Sequence, residues 1–400
     1  PVAEHYMDFA GSLIMAAQLA DNGETGADWE NAIIIDSAEE FVYLCKASGD
    51  DTDGKYYKVA DGIAGFNLST DKLDVNGTLT GASLADGKTN LDIVKGSGKN
   101  HAGGTPGFQG YFDGNGATVY GAWTNHESIS TYSGLFSCVQ GDVTIKNIHV
   151  KLASFTATTA AGGIVGYYKG EGNYTNNTTL TIENCSVTDS HIEVTGANDG
   201  SGIGAIVGRV TVPSGYTDTN DEDGDGNTTE TLYVNNKINV TNCFVNLDDT
   251  YFISPYEDSS VDSKTHHGGA VAHAGTNAVM VSNCIIIGVQ PYPATKNTAG
   301  NQIQHTGHPD NFSNVYTDQA ISNNTYVGGT TNSGYQDLTG VIHQLTPAQM
   351  QGEEAAANMN LAWLAVWKLG AEGEYPTFVK DGEEFGVSFW SGAAASEFAG

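Results

Sequence analysis

The sequence predicts an all-β chain folded as a parallel β-helix, a solenoid of stacked strands with short helical caps at both ends. Three observations predict it. A strand motif recurs with Asn at a fixed place. A Gly-flanked apolar pair precedes most copies. Gly is abundant at 51 residues while Pro is scarce at 9, a balance that suits close stacking and not low-complexity disorder.

The motif reads VTIKNIHV at 143–150, LTIENCSV at 180–187, INVTNCFV at 238–245 and VMVSNCII at 279–286. A degenerate fifth copy is ISNNTY at 321–326, centred on Asn323. Each copy alternates apolar and polar residues with period two, and the alternation slips by one residue at Asn. A slip in facing implies a corner between two short strands. Asn tolerates the left-handed backbone that a corner needs. Asn147, Asn184, Asn242 and Asn283 stand 37, 58 and 41 residues apart. Stacked in register, their amides form a hydrogen-bonded ladder along the axis. Cys185, Cys243 and Cys284 follow the corner, where a thiol behaves as a small buried hydrophobe.

The second element reads SGLFS at 133–137, GGIVG at 162–166, GAIVG at 204–208 and GGAVA at 268–272. Tiny residues flank a buried pair and allow neighbouring backbone to approach. Two such elements in ~40 residues fit solenoid repeats. The long step from Asn184 to Asn242 is explained by an insertion at 213–230.

At the N-terminal end, Ser37 and Glu40 form a capping box. The helix it opens has Phe41, Leu44 and Cys45 on its apolar face, and Gly49 is expected to stop it. At the C-terminal end, Thr346, Pro347 and Gln349 repeat the signal, 353–359 continues it, and Trp363 and Trp367 share a face if helical. Solenoids need capped ends. The expected divisions are an apolar, helical N-terminal segment at 1–35, a helical cap at 36–57, the β-helix at 58–330, a C-terminal cap at 331–384 and an apolar tail at 385–400. The outermost segments carry Tyr6, Phe9, Leu13 and Ile14, and Val387, Phe389, Trp390 and Phe398. Free termini are usually polar. These are expected to dock, either on the solenoid itself or on a neighbouring copy.

Taken in order, SAEEF at 37–41, FQGYFDGNG at 108–116, SGLF at 133–136, TIKN at 144–147, GGIVG at 162–166, IENC at 182–185, LTPAQM at 345–350, Trp367 and EYP at 374–376 resemble the GLUG-motif group of bacterial surface proteins. The similarity spans residues 33–380, with Ser137 standing where the motif has Gly. The resemblance implies a right-handed parallel β-helix that is exported, surface-associated and often adhesive. It implies no shared catalytic residues.

The formal net charge is −31, and Arg209 is the one arginine among 16 basic residues. Such a surface repels nucleic acid, anionic membranes and polyanionic sugars. No apolar stretch reaches the ~18 residues of a spanning helix. A start at Pro1 in place of Met is read as a processed product and points to the extracellular space or cell surface. Five cysteines without a C-x-x-C spacing argue against a disulfide framework.

One local motif stands out. Six acids and no base lie from Asp218 to Glu230. Asp221, Asp223 and Asp225, with Asn227 and Glu230, have the alternate spacing that wraps oxygens around Ca²⁺. The twelfth position of an EF-type loop is Leu232, so the match is partial. A solvated acidic loop is the bland alternative. His266 and His267, with His273, His305 and His308 in nearby repeats, form a weaker metal candidate. Adjacent strand residues face opposite ways, so a joint site there needs a loop.

Parallel β-helices often process polysaccharides. Here a single arginine suits lyase chemistry poorly, and neither the polygalacturonase-type motifs nor a G-x-S-x-G nucleophile is present. The expectation is a non-catalytic protein: a surface adhesin for glycan or protein ligands, or a self-associating subunit of a fibre or layer. A polysaccharide lyase or glycosidase is the alternative.

Overall fold

The computed structural model describes residues 25–38, 40–41, 44, 49–68, 72–73, 79–80, 107–122, 131–170, 177–196, 201–212, 216–217, 231–232, 236–248, 250–253, 265–274, 279–288, 312–318, 342–360, 367–378 and 386–389. They are largely β, and most of their pairing is parallel.

Five parallel ladders carry the structure. The first stacks Ile33–Ile35, Tyr56–Val59, the start of Tyr111–Tyr120, the start of Val143–Lys151, Thr179–Glu183, Lys237–Thr241, Val279–Ser282 and Phe312–Ser313. Its register places Ile33, Tyr57, Phe112, Ile145, Ile182, Val240, Val281 and Phe312 in one buried column. The second ladder takes the chain after the Asn corner. There Phe66, Val119, Val150, Val187, Val245 and Ile286 stack in turn. The third holds Ser154–Ala157, His191–Val194 and Tyr251–Ile253. The fourth and fifth are the halves of the Gly-flanked element. Gly162, Gly204 and Gly268 align in one, and Phe136, Val165, Val207 and Val271 in the other. Inward side chains from all five meet in one hydrophobic cluster.

The corner behaves as its residues require. Asn147, Asn184, Asn242, Asn283 and Asn314 have φ between 50° and 56°. That region costs an ordinary side chain about 1–2 kcal/mol, and Asn less. Asn184 donates to Asn147 at 2.8 Å, and Asn242 donates to Asn184 at 3.0 Å. Asn314 donates to Asn283 at 3.1 Å. Asn147 donates to the Asp113 carboxylate at 2.8 Å, so an acid starts the column. The ladder breaks between Asn242 and Asn283, where Asn242 Oδ1 is buried without a partner among the described residues. The fifth rung is Asn314; Asn323, expected to occupy it, lies outside the described residues. The step into this rung shortens to 31 residues, which hid it.

The recurring Cys now has a physical reason. Cys185, Cys243 and Cys284 are buried and free. Their thiols reach back to the carbonyls of Glu183, Thr241 and Ser282 at 3.2, 3.3 and 3.2 Å. The side chain is thus a small core filler and a weak donor to the strand before the corner. At the Gly-flanked turn, a Cβ on Gly162, Gly204 or Gly268 would overlap the carbonyl oxygen of Val165, Val207 or Val271.

The ends differ in part from expectation. Ala38, Glu40, Phe41 and Leu44 are helical, and Phe41 stacks on Phe66 with centroids 4.8 Å apart. Glu40 N–H donates to Ser37, but the Glu40 carboxylate accepts from Asp36 N–H. Gly49, expected to stop the helix, follows residues 45–48, which lie outside the described residues. It lies within the helical turn Gly49–Thr52, and the chain reverses at Gly54, with φ 65°. Cys45 lies outside the described residues. The Thr346 box is complete and opens the 3₁₀ turn Pro347–Met350, followed by the helix Gly352–Asn358. Trp367 is not helical. It belongs to the strand Trp367–Lys368, paired antiparallel with Thr377–Phe378, and Trp363 is outside the described residues.

The C-terminal segment covers a flank of the stack. Met350, Ala355, Met359 and Trp367 pack on Phe244, Ile285, Ile287 and Tyr316, outward residues of the second ladder. Trp367 Nε1 donates to the Asn242 carbonyl at 3.1 Å, and Asn360 N–H donates to the Tyr316 hydroxyl at 2.6 Å. Gly386–Phe389 then pairs parallel with Ile63–Asn67, in the first repeat. This part of the tail docks on its own chain. Residues 5–20 and 390–400 are outside the described residues.

Asn184 makes two ladder bonds and is 5% exposed. Asn184→Leu should cost roughly 2–5 kcal/mol by stranding both amides and forcing a side chain with no local hydrogen bond into left-handed backbone. Asn184→Gly keeps the backbone and should cost clearly less. Urea unfolding of both variants checks this, and equal midpoints would remove the corner from the stability account.

Candidate functional site

Five places are candidates by their polar or aromatic residues. The first is the acidic insertion. Asp221, Asp223, Asp225, Asn227 and Glu230 lie outside the described residues. Their flanks do not. Tyr216–Thr217 pairs antiparallel with Thr231–Leu232, so the insertion springs from a β-ribbon. Leu232 is a paired strand residue, and the helices that flank an EF-hand loop are replaced here by strands. Among the described residues, no cluster of three His, Cys, Asp or Glu is placed to hold a metal ion.

The second place is the histidine group. His266 and His267 lie in the strand Thr265–Gly268, aligned with Gly202 and Ile203. They are not in the loop that a joint site needs. His273 aligns with Arg209 one ladder away, and His305 and His308 are outside the described residues.

The third is an outer cluster of Tyr132, Cys138, Ala160 and Tyr167. The two tyrosine rings stack at 4.3 Å. Burial raises the pKa of both hydroxyls, Tyr167 adds to the Tyr132 shift, and Arg209 opposes both. Arg209 Nε is buried without a hydrogen-bond partner among the described residues. Both tyrosines are about 5% exposed or less, so they form a satellite core and not an open cleft.

The fourth is His149. It lies between the second ladder and the strand pair of Trp367 and Phe378. Its Nδ1 is 2.8 Å from Ser186 Oγ, and its ring is 4.6 Å from that of Phe378. Its Nε2 is buried and has no hydrogen-bond partner among the described residues. Burial drives its pKa down to about 3, so the imidazole is neutral near pH 7. A Ser–His contact suggests a nucleophile and base. Here the second ring nitrogen meets no carboxylate among the described residues, and the C-terminal segment packs over His149. The arrangement is a neutral polar contact inside an internal seam.

A surface feature lies beside the first ladder. Tyr56 stacks on Tyr111 at 4.3 Å, Trp29 meets Tyr56 edge-on at 4.9 Å, and Lys146 Nζ sits 4.1 Å over the Trp29 ring. Lys146 also pairs with Asp113 at 3.4 Å. The flank seam was not foreseen. Its signal was in the sequence: Phe244 and Ile285 are outward apolar residues where His149 and Ser186 stand in earlier copies.

No family model matches the chain, and no curated protein matches it. Among solved structures it is similar to one described as a "putative immunoglobulin A1 protease" from Bacteroides ovatus, at 15% identity and a TM-score of 0.41, covering 88% of this chain and 94% of that one. A likeness that loose carries no inference about activity. Among the described residues, no helix is long and apolar enough to cross a membrane.

His149 makes a pH prediction. Its folded pKa lies below the ~6.5 of an unfolded His. The folded state therefore binds fewer protons between those values. Stability is full above about pH 6.5, falls as pH drops, and levels off near pH 3. The contribution lost should be about 3–5 kcal/mol at most. Subtracting the urea stability of His149→Gln from that of wild type at each pH cancels the carboxylates. A flat difference between pH 7 and pH 4 would show that His149 is already hydrated.

Proposed function

We propose that this chain is a non-catalytic, exported structural and adhesive protein, a right-handed parallel β-helix that displays loops at a cell surface. The GLUG-motif group is the kind of protein it resembles. In this reading the five ladders are the faces of one coil. The 58-residue step between Asn184 and Asn242 carries the proposal. It leaves their side chains 3.0 Å apart and Ile182 still opposite Val240. The whole insertion is absorbed outside the ladders. A scaffold that tolerates this can vary its loops without disturbing its core, which suits ligand display. The net charge of −31 favours a soluble surface in salt and suits neutral glycans or basic protein segments as ligands. The acidic insertion is the candidate Ca²⁺ loop, stabilising its own β-ribbon.

The experiment deletes 218–230 and joins Thr217 to Thr231 by Asn-Gly, a turn that suits a two-residue hairpin. Wild type should melt higher in ~5 mM Ca²⁺ than in EDTA, since Ca²⁺ binding only the folded form stabilises it, and extracellular modules bind at 10⁻⁴–10⁻³ M. The deletion should melt within a few degrees of wild type in EDTA and ignore Ca²⁺. An unfolded deletion variant would overturn the loop-display reading. A Ca²⁺ shift that survives the deletion would move the metal elsewhere. Incubation with plant and microbial polysaccharides should release no new reducing or unsaturated ends; release would favour the lyase or glycosidase alternative.

A further inference from the structure

The strand Gly386–Phe389 occupies an unusual place. It belongs to the last residues of the chain, yet it is an outer rung beside Ile63–Asn67. Ile63–Asn67 is itself held on its other side by Gly65, Phe66 and Asn67 pairing with Thr118, Val119 and Tyr120. Strands inside the ladders have two neighbours. Gly386–Phe389 has one among the described residues, and its register shifts between Ile63 and Gly65. Removing it breaks one short ladder segment and leaves the rest of the stack paired. The seat recognises it through backbone groups, so any copy of this strand fits equally well.

From these contacts we propose that Gly386–Phe389 exchanges between two copies of the chain, each filling the other's seat. The occupant is a second copy because the seat already fits this segment in register. Phe378 packs on His149, and residues 379–385 (VKDGEEF) join it to Gly386. Eight extended steps reach about 26–29 Å at most. A donated strand must therefore cross to a seat near its own. Two first repeats then face each other and exchange reciprocally, which closes a two-fold dimer and does not propagate a filament. The same backbone bonds form in monomer and dimer. Chain concentration and repulsion between the acidic connectors decide between them. Two chains at −31 each repel, and salt screens that repulsion.

The test uses the full chain with one cysteine per copy. Ile63 and Gly386 are register partners, so paired cysteines there fall within disulfide reach. The double variant Ile63→Cys, Gly386→Cys, oxidised at low concentration, should cross-link within one chain. The single variants Ile63→Cys and Gly386→Cys, mixed at high concentration in ~0.5 M salt (Debye length ~4 Å) and then oxidised, should give a product of two-chain mass on a non-reducing gel. Adding Val387→Pro to the Gly386→Cys chain removes a strand donor and should abolish the product by at least tenfold. Wild type, with its own buried cysteines, is the control. Exchange is overturned if mixed single variants give no product while the double variant cross-links internally. It is equally overturned if Val387→Pro leaves the product intact, which marks collision, or if the double variant cross-links neither way, which means the seat is absent. None of these outcomes bears on loop display, which the deletion experiment judges separately.

Discussion

Parallel pairing at a fixed side-chain register is the constraint on which everything else rests. Once Ile145 stacks on Ile182 and Ile182 on Val240, every inward position must suit its neighbours above and below. A one-residue slip would turn the apolar column outward. The Asn corner secures the register. It reverses side-chain facing by a single left-handed residue, and its amide then bonds the next amide along the axis. Backbone geometry and side-chain hydrogen bonding thus select the same residue. The buried thiol one position later serves both packing and a strand carbonyl.

Much of this was legible because it is local. Period-two alternation, the slip at Asn and the Gly-flanked pairs are written in neighbouring residues, and the strands of the four full copies are present, while the fifth at 321–326 lies outside the described residues. The Thr346 box is legible for the same reason, since its bonds span three residues. What escaped was either masked by substitution or set by distant partners. Asn314 is followed by Val where three of the copies carry Cys, and Asp113 begins the ladder as an acid. Gly54, which no local pattern singled out, supplies a left-handed turn just after Gly49–Thr52. Trp367 is four residues from Trp363, a helical spacing, yet its partner Phe378 lies across an antiparallel pair. Periodicity cannot see that partner. The acidic insertion was legible as chemistry, but only its flanking ribbon is described.

The flank seam shows how one ladder serves two environments. His149 and Ser186 face outward in the early repeats, and Phe244, Ile285 and Tyr316 face outward in the later ones. A strand exposed on one side would alternate cleanly. Strands with consecutive apolar residues are buried on both faces, and here the second cover is the chain's own C-terminal segment. The cover carries a cost: a buried imidazole whose Nε2 has no partner among the described residues.

Stacked-repeat proteins are usually treated as one-dimensional, each unit needing only its neighbours. The pairing of Gly386–Phe389 with Ile63–Asn67 breaks that description. Synthesis delivers Ile63–Asn67 long before Gly386–Phe389, its outer neighbour. For most of its time on the ribosome, the first repeat therefore presents a bare edge. The contact joins residues more than three hundred positions apart, which raises contact order and slows the final step of folding. A chain that stops before Gly386 would stack its middle correctly and still leave the edge of Ile63–Asn67 unfinished.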